Sequence, residues 1–202
     1  MSGPDDPWEA RYRAGRTGWD RGDVSPALGH WLEAGALEPC RILVPGCGHG
    51  HEVVALARAG FQVTAVDIAP TPVARLEEQL AAAGVEARVV QADLLRWTPP
   101  APFEAVYEQT FICALEPELW RPYEAWLRRW LLPWGRVGAL FMQTGRAGGP
   151  PYDCPLPAME ALFPAPPWSW DTREPLRVPH PNGLEELGYV LTLRGEGART
   201  GA

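Results

Sequence analysis

Three observations predict an α/β fold with a doubly wound, mostly parallel sheet and helices on both faces. A strand–turn–helix–strand unit occupies residues 41–67, strands and helices alternate behind it, and polar residues fall where those strands end. The unit begins with the apolar run Ile42-Leu43-Val44, which leads into Pro45-Gly46-Cys47-Gly48-His49-Gly50. Helical periodicity covers His51–Ala59, and Val63-Thr64-Ala65-Val66 forms a second apolar run ending in Asp67. Ahead of the unit, Ser25-Pro26 opens a helix that continues to about Ala34. Beyond it, the spacing predicts helices over Thr71–Ala83 and Pro117–Leu132, where Thr71-Pro72 and Glu116-Pro117 put proline at an early helical position. Strands are predicted at Arg88–Ala92, Phe103–Phe111, Val137–Thr144 and Tyr189–Arg194. Gly46, Asp67, Asp93 and Glu108-Gln109 all stand at strand C-terminal ends, where such sheets bind ligands.

Two segments interrupt the alternation. The first 35 residues form an arm with Trp8-Glu9-Ala10-Arg11-Tyr12 and Thr17-Gly18-Trp19-Asp20-Arg21-Gly22. It is too short for a domain, so its rings must cover something. Trp and Tyr suit the edge of a small-ligand site and can draw a cation to their faces. Composition alone favours plain packing against the sheet. From Gly148 to Pro181 the chain holds ten prolines with Tyr152, Phe163, Trp168 and Trp170. Proline cannot supply central ladder hydrogen bonds, so residues 145–181 read as an ordered insertion or lid with a short helix near Ala158–Leu162. Such a segment can wall an acceptor pocket or simply pack its aromatics on the sheet, and the two readings weigh equally. The tail Gly195–Ala202 is expected to fray. The chain as a whole, 1–202, reads as one domain.

Composition narrows the function. A net charge of −7 argues against nucleic acid, which needs clustered Lys and Arg. No apolar run reaches membrane-spanning length, and Met1-Ser2-Gly3-Pro4-Asp5-Asp6 is no signal peptide, so a cytoplasmic protein is expected. Cys40, Cys47, Cys113 and Cys154 are irregularly spaced and are expected to stay reduced. A monomer acting on a small molecule is the expectation.

The glycine turn selects the cofactor class. Glycines let the backbone turn sharply and approach a ligand where a Cβ would clash. Asp67, 17 residues after Gly50, sits where a carboxylate can accept from ribose hydroxyls. A dinucleotide fingerprint would place its third glycine at position 51, which is His51; the turn reads G-x-G-x-G instead. That spacing suits a cofactor without phosphates, such as S-adenosylmethionine. Cys47, His49 and His51 invite a metal, but they lie in the turn the cofactor should occupy, and no metal is expected.

The constellation resembles the thiopurine S-methyltransferase family, a branch of the class I methyltransferases that includes plant thiocyanate and halide methyltransferases. The resemblance covers Trp8 to about Phe163. It rests on the aromatic arm, Leu43-Val44-Pro45-Gly46-Cys47-Gly48, Val66-Asp67-Ile68, Gln91-Ala92-Asp93-Leu94, Phe111-Ile112-Cys113-Ala114-Leu115-Glu116-Pro117 and Gly148-Gly149-Pro150-Pro151-Tyr152. It implies a Rossmann-like methyltransferase that binds S-adenosylmethionine and releases S-adenosylhomocysteine. Trp8, Tyr12 and Trp19 match positions that close over the cofactor. Gly46 matches a backbone contact to its methionine end, and Asp67 the ribose carboxylate. Asp93 and Leu94 match the pair flanking adenine, and Gln109 a residue bordering the sulfonium. Tyr12 and Gln109 depart from the tryptophan, and the tyrosine or arginine, often found there.

Met142 stands where a fifth-strand tyrosine contributes to the acceptor site of plant halide methyltransferases. A thioether bonds a small anion poorly, which lowers the halide and thiocyanate reading and leaves room for a thiol, a thiopurine or a heavier chalcogen. Cys113 can line that pocket or serve as a small buried hydrophobe. The expected reaction is in-line methyl transfer without a strong base; Glu108 is the nearest candidate base, but a strand-end carboxylate bonded to backbone is its plainer role. No residue is assigned a catalytic role. An O- or N-directed methyltransferase and a cofactor-binding protein without catalysis remain alternatives.

Overall fold

The computed structural model describes residues 6–171, 174–180 and 182–195. A short helix, α1 (Pro7–Arg13), opens the chain, with the Asp6 side chain accepting from Trp8 N and Glu9 N and proline in the first turn. Helix α2 (Pro26–Glu33) is capped the same way by Ser25. The unit anticipated around the glycine turn then follows as β1 (Arg41–Pro45), α3 (His51–Arg58) and β2 (Gln62–Asp67). Next come α4 (Pro70–Ala83), β3 (Arg88–Gln91), β4 (Phe103–Gln109), α5 (Trp120–Trp130) and β5 (Leu131–Gln143). After these lie α6 (Leu156–Leu162), β6 (Trp168–Trp170), β7 (Leu176–Pro179) and β8 (Glu185–Leu193).

Among the described residues these strands form one eight-stranded sheet in the order β3-β2-β1-β4-β5-β8-β6, with β7 also on β8. Strands β1 to β5 run parallel. β8 is antiparallel to β5, and β6 and β7 are antiparallel to β8, so the parallel half carries an antiparallel extension. Alternation of side chains divides the core between the two faces. Ile42, Val44, Ala65 and Tyr107 pack with Leu28, Trp31, Leu56 and Leu76 of α2, α3 and α4. Leu43, Val66, Val106 and Phe141 pack with Tyr123, Leu127, Trp130 and Met159 of α5 and α6. This is the doubly wound arrangement.

The structure departs from the sequence reading at four places, the simplest being β8, which starts at Glu185 rather than Tyr189. The segment predicted as one helix from Pro117 starts as a 3-10 turn, Pro117–Leu119, and becomes α-helical at Trp120. β5 begins at Leu131 rather than Val137, because a register shift against β4 absorbs Pro133 and Gly135, which hide the strand in the sequence. The proline-rich segment supplies two short strands that were not anticipated. Both are peripheral pieces on β8, where a missing amide donor can be tolerated. Gly195 is the only tail residue described, and 196–202 lie outside the described residues, as does Pro181.

Candidate active site

Parallel strands leave a crevice beyond their C-terminal ends, and here β1, β2, β3 and β4 open onto a cavity of about 600 Å³. That volume suits a drug-sized ligand. The glycine turn forms its floor. Gly46 has φ +56°, and a Cβ there would sit 2.4 Å from the Phe111 ring. Gly50, at φ +75°, caps α3 in the left-handed conformation and closes on Leu76. Only glycine meets both demands without strain.

Seven of the eight residues expected at the cofactor line this cavity: Trp8, Tyr12, Trp19, Gly46, Asp67, Asp93 and Leu94. Asp67 is buried, its Oδ2 accepting from Gly48 N and its Oδ1 from Ala69 N, both at 2.9 Å. Each oxygen keeps lone-pair capacity for a ligand hydroxyl. Burial raises its pKa against the pull of those amides. Asp93 accepts from Leu95 N at 3.1 Å and meets the exposed Arg96 at 3.3 Å. Leu94 is buried beside it.

Gln109 goes elsewhere. On β4 it shares a face with Tyr107, two residues back, whose hydroxyl donates to its Oε1 at 2.9 Å. Its Nε2 donates to Glu186 Oε2 at 3.3 Å. It lines a smaller neighbouring cavity of about 60 Å³, which shares Trp19, Gly46 and Thr110 with the large one.

The arm roofs the large cavity. Trp8 and Tyr12 each meet Trp19 edge-on at 5.4 Å, and Arg11 stacks over Trp8 at 5.0 Å. The Tyr12 hydroxyl lies over Gly48, and burial with the Asp67 charge holds its pKa well above the usual phenol value. Long-range bonds that sequence reasoning missed fasten the arm. Buried Glu9 accepts from Thr71 N at 3.0 Å and from Thr71 Oγ1 at 2.6 Å, tying α1 to the start of α4. Asp20 accepts from His49 and His51. His180 Nε2 donates to Trp19 O at 3.1 Å, and Arg21 Nη2 to Pro179 O at 2.8 Å. Arg21 also faces Glu186 at 3.5 Å. That charge opposes the burial which pushes Glu186 up to about 7. The only local signal was a set of charges embedded in an aromatic segment. Their partners lie 29 or more residues away, beyond the reach of spacing arguments.

The remaining lining includes the apolar Phe111, Cys113, Leu115, Met142, Pro150 and Pro151, with Thr110 and Asn182 as its uncharged polar members. Cys113 is buried, with its thiol donating to Thr110 O at 3.4 Å and its pKa pushed well up by burial. Glu108 does not reach this wall. Its Oε1 accepts from Ile112 N at 2.7 Å, and burial raises its pKa to about 8. The proline-rich segment divides between its two readings. Its first residues, Pro150-Pro151, face the cavity and are held there by Tyr152 N donating to Cys113 O at 2.7 Å. Its later aromatics pack among themselves and on the sheet, Phe163 with Trp168 at 5.3 Å and Trp170 with Tyr189 at 4.9 Å.

A glycine turn after β1, a carboxylate ending β2 and an acidic–apolar pair after β3, around a roofed crevice on this sheet, define a class I S-adenosylmethionine-dependent methyltransferase. Solved structures share the fold. The 1,6-didemethyltoxoflavin-N1-methyltransferase of Burkholderia thailandensis, with 1,6-didemethyltoxoflavin and S-adenosylhomocysteine bound, aligns with a TM-score of 0.76 at 21% identity over 96% of this chain and 92% of that one. A structure from work on the conversion of a disulfide bond into a thioacetal group during echinomycin biosynthesis gives the same score and identity over 93% and 92%.

Within that class the family model for thiopurine S-methyltransferase matches residues 4–175, and the chain belongs to that family. Probable thiol methyltransferase 2 of Arabidopsis thaliana is 33% identical over 159 residues, 77% of this chain and 70% of the relative. Thiocyanate methyltransferase 1 of the same plant is 31% identical over 186 residues, 90% and 82%. Thiopurine S-methyltransferase of Azotobacter vinelandii is 32% identical over 168 residues, 73% and 76%. The protein is therefore an S-adenosylmethionine-dependent methyltransferase with a small-molecule acceptor. No helix among the described residues is long and apolar enough to cross a membrane.

Proposed function

We propose that this enzyme methylates a sulfur, or a comparably soft chalcogen, on a small acceptor that arrives already ionised. The observation that carries the reading is the acceptor wall: Phe111, Cys113, Leu115 and Met142 offer carbon and sulfur but no base. Glu108 is turned into backbone bonding, and its raised pKa keeps it largely protonated near neutrality. Tyr12 and Cys113 are both held neutral by burial. A phenol or amine would need its proton removed, whereas a thiol is partly ionised near pH 7 without help. Relatives named for thiol, thiocyanate and thiopurine methylation support the same choice.

The cofactor supplies an electrophilic methyl group on a sulfonium. The residues present fit it: a cavity of about 600 Å³, a turn with no Cβ at Gly46, and carboxylate lone pairs at Asp67. In this reading Asp67 holds the ribose hydroxyls, and Asp93 with Leu94 borders the adenine. Trp8, Tyr12 and Trp19 cover the cleft, exclude water and present faces to positive charge. Gln109 acts indirectly, through Tyr107 and Glu186. The acceptor wall orients the nucleophile toward the methyl group, and orientation with water exclusion is the whole protein contribution to the step.

The 1–202 chain is one domain in this reading. It acts as a monomer, since the exposed large hydrophobics among the described residues are Leu132 and Trp134 alone. The four unpaired cysteines suit a reducing cytoplasm. The acidic balance speaks against nucleic acid as a partner.

A screen of thiols, thiopurines, thiocyanate, iodide and phenols with tritiated methyl donor tests the acceptor. Thiols and thiopurines should be methylated well ahead of phenols. A phenol or amine as the best acceptor would overturn the assignment.

A further inference from the structure

The cluster that fastens the arm to the glycine turn has the donor set of a metal site. His49 Nδ1 lies 2.5 Å from Asp20 Oδ2, and His51 Nε2 lies 2.9 Å from Asp20 Oδ1. One ligand-type atom from each of the three residues falls within 4.8 Å of the others. None of the three lines the large cavity. They border the smaller one, with Cys47, Glu52 and Asp23. On sequence grounds a metal is set aside because the cofactor should occupy the glycine turn and no paired C-x-x-C exists elsewhere. In the fold the three side chains stand outside the large cavity's lining, although the turn itself borders both cavities. The third ligand also changes: Asp20, brought in by the arm, joins the two histidines where the sequence suggested Cys47.

We propose that Asp20, His49 and His51 bind a divalent first-row transition cation of the zinc type, with water from the small cavity completing its coordination. Two imidazole nitrogens and one carboxylate oxygen suit such an ion, and three protein ligands leave an open position. Bonds of about 2.0–2.2 Å in tetrahedral geometry set ligand atoms roughly 3.3 Å apart, so each histidine nitrogen must draw back from its Asp20 oxygen by less than about 1 Å, and ligand atoms now up to 4.8 Å apart must close toward that spacing. A void of about 60 Å³ beside it has room for the remaining water.

Local structure makes that opening accessible. His49 and His51 flank Gly50 at the rigid start of α3, while Asp20 belongs to the arm, where its Oδ1 also accepts from Gly22 N at 2.9 Å. Asp23, Glu52 and Arg21 complete the polar wall of that cavity, with Glu52 accepting from Ser25 N at 2.9 Å. Arg75, 3.5 Å from His49 Nε2, is exposed and free to swing out. Each neutral imidazole presents to the ion the nitrogen that now faces Asp20 and carries its proton on the other. The ion replaces two hydrogen bonds between arm and turn with coordinate bonds.

The test is titration of the metal-free, full-length protein with Zn²⁺ by calorimetry and with Co²⁺ by visible absorption. One ion should bind per chain at micromolar concentration, and Co²⁺ should give the intense bands of a four-coordinate site. His49→Ala and His51→Ala should each weaken binding by at least about tenfold. His30→Ala and Cys40→Ser, at an exposed histidine and the most accessible cysteine, should leave it unchanged. His49→Gln, which keeps a hydrogen-bonding side chain, gives the same reading if the alanine variant melts early. Absence of stoichiometric binding, or binding indifferent to His49 and His51, would overturn the proposal and leave the cluster as a hydrogen-bonded clasp.

Discussion

At the cofactor end of the cleft the working groups are amides and carboxylates, with Asp67 taking Gly48 N and Ala69 N and Asp93 taking Leu95 N. In the reading proposed above the acceptor meets Phe111, Cys113, Leu115 and Met142, which offer carbon and sulfur from the same cavity lining. The first end can recognise a polar ligand group by group, because each lone pair has a direction. The second can select only by shape and polarizability. A site divided in this way assigns binding to the protein and reactivity to the two reactants. Fold and cofactor are thus specified by the chain, and the acceptor, in the reading proposed above, by the wall it meets.

Asp67 should show the largest effect on cofactor binding. Replacing it with Ala removes the groups proposed for the ribose and leaves the Gly48 and Ala69 amides without their acceptor, and S-adenosylhomocysteine binding should weaken by about 1–3 kcal/mol. Calorimetry showing unchanged affinity would remove Asp67 from the cofactor end. The arm comes next. Glu9→Ala severs both bonds to Thr71 and should cost about 0.5–1.5 kcal/mol of the same affinity, with a smaller effect on melting, if α1 covers the cofactor. A variant that binds normally would make the arm a bystander.

Glu108, which lies outside the cavity lining, is read through stability rather than binding. Folding raises the Glu108 pKa from 4.5 to about 8, so the folded state keeps a proton that the unfolded state sheds. Its contribution is complete below pH 4.5 and is lost as pH rises through about 8. Melting curves should therefore show Glu108→Gln gaining on the parent between about pH 5 and pH 8. A constant difference would place a charged Glu108 in the fold. Smallest is Cys113→Ser, which should change kcat/KM for thiols by less than about tenfold, or 1.4 kcal/mol, and leave cofactor affinity alone. Near-total inactivation would give Cys113 a chemical role.

What the sequence made legible follows the range of the interactions. Gly46, Asp67, Asp93 and Leu94 could be placed because strand, turn and acidic end are consecutive in the chain. Gln109 stands at the expected strand end but lines the smaller, adjoining cavity. One residue of phase decides the face of a strand, and Thr110 and Phe111 carry the chain around to the large cavity. Pro133 and Gly135 concealed the start of β5, and short proline-flanked β6 and β7 exist only because β8 offers them edges. The bonds of Glu9, Asp20 and Arg21 join segments far apart in sequence, and no periodicity announces them. Asp20 is the case in point: an unremarked arm residue in sequence, it is the one that gathers His49 and His51.

In the proposed reaction the acceptor brings its own ionised sulfur. This is tested most directly by kcat/KM against pH for a series of thiols of differing acidity. The ionisation controlling the rate should move with the thiol, each acceptor inflecting at its own pKa, and Glu108→Gln should leave every curve in place. A single inflection common to all acceptors, and lost in Glu108→Gln, would contradict it by showing a base within the protein.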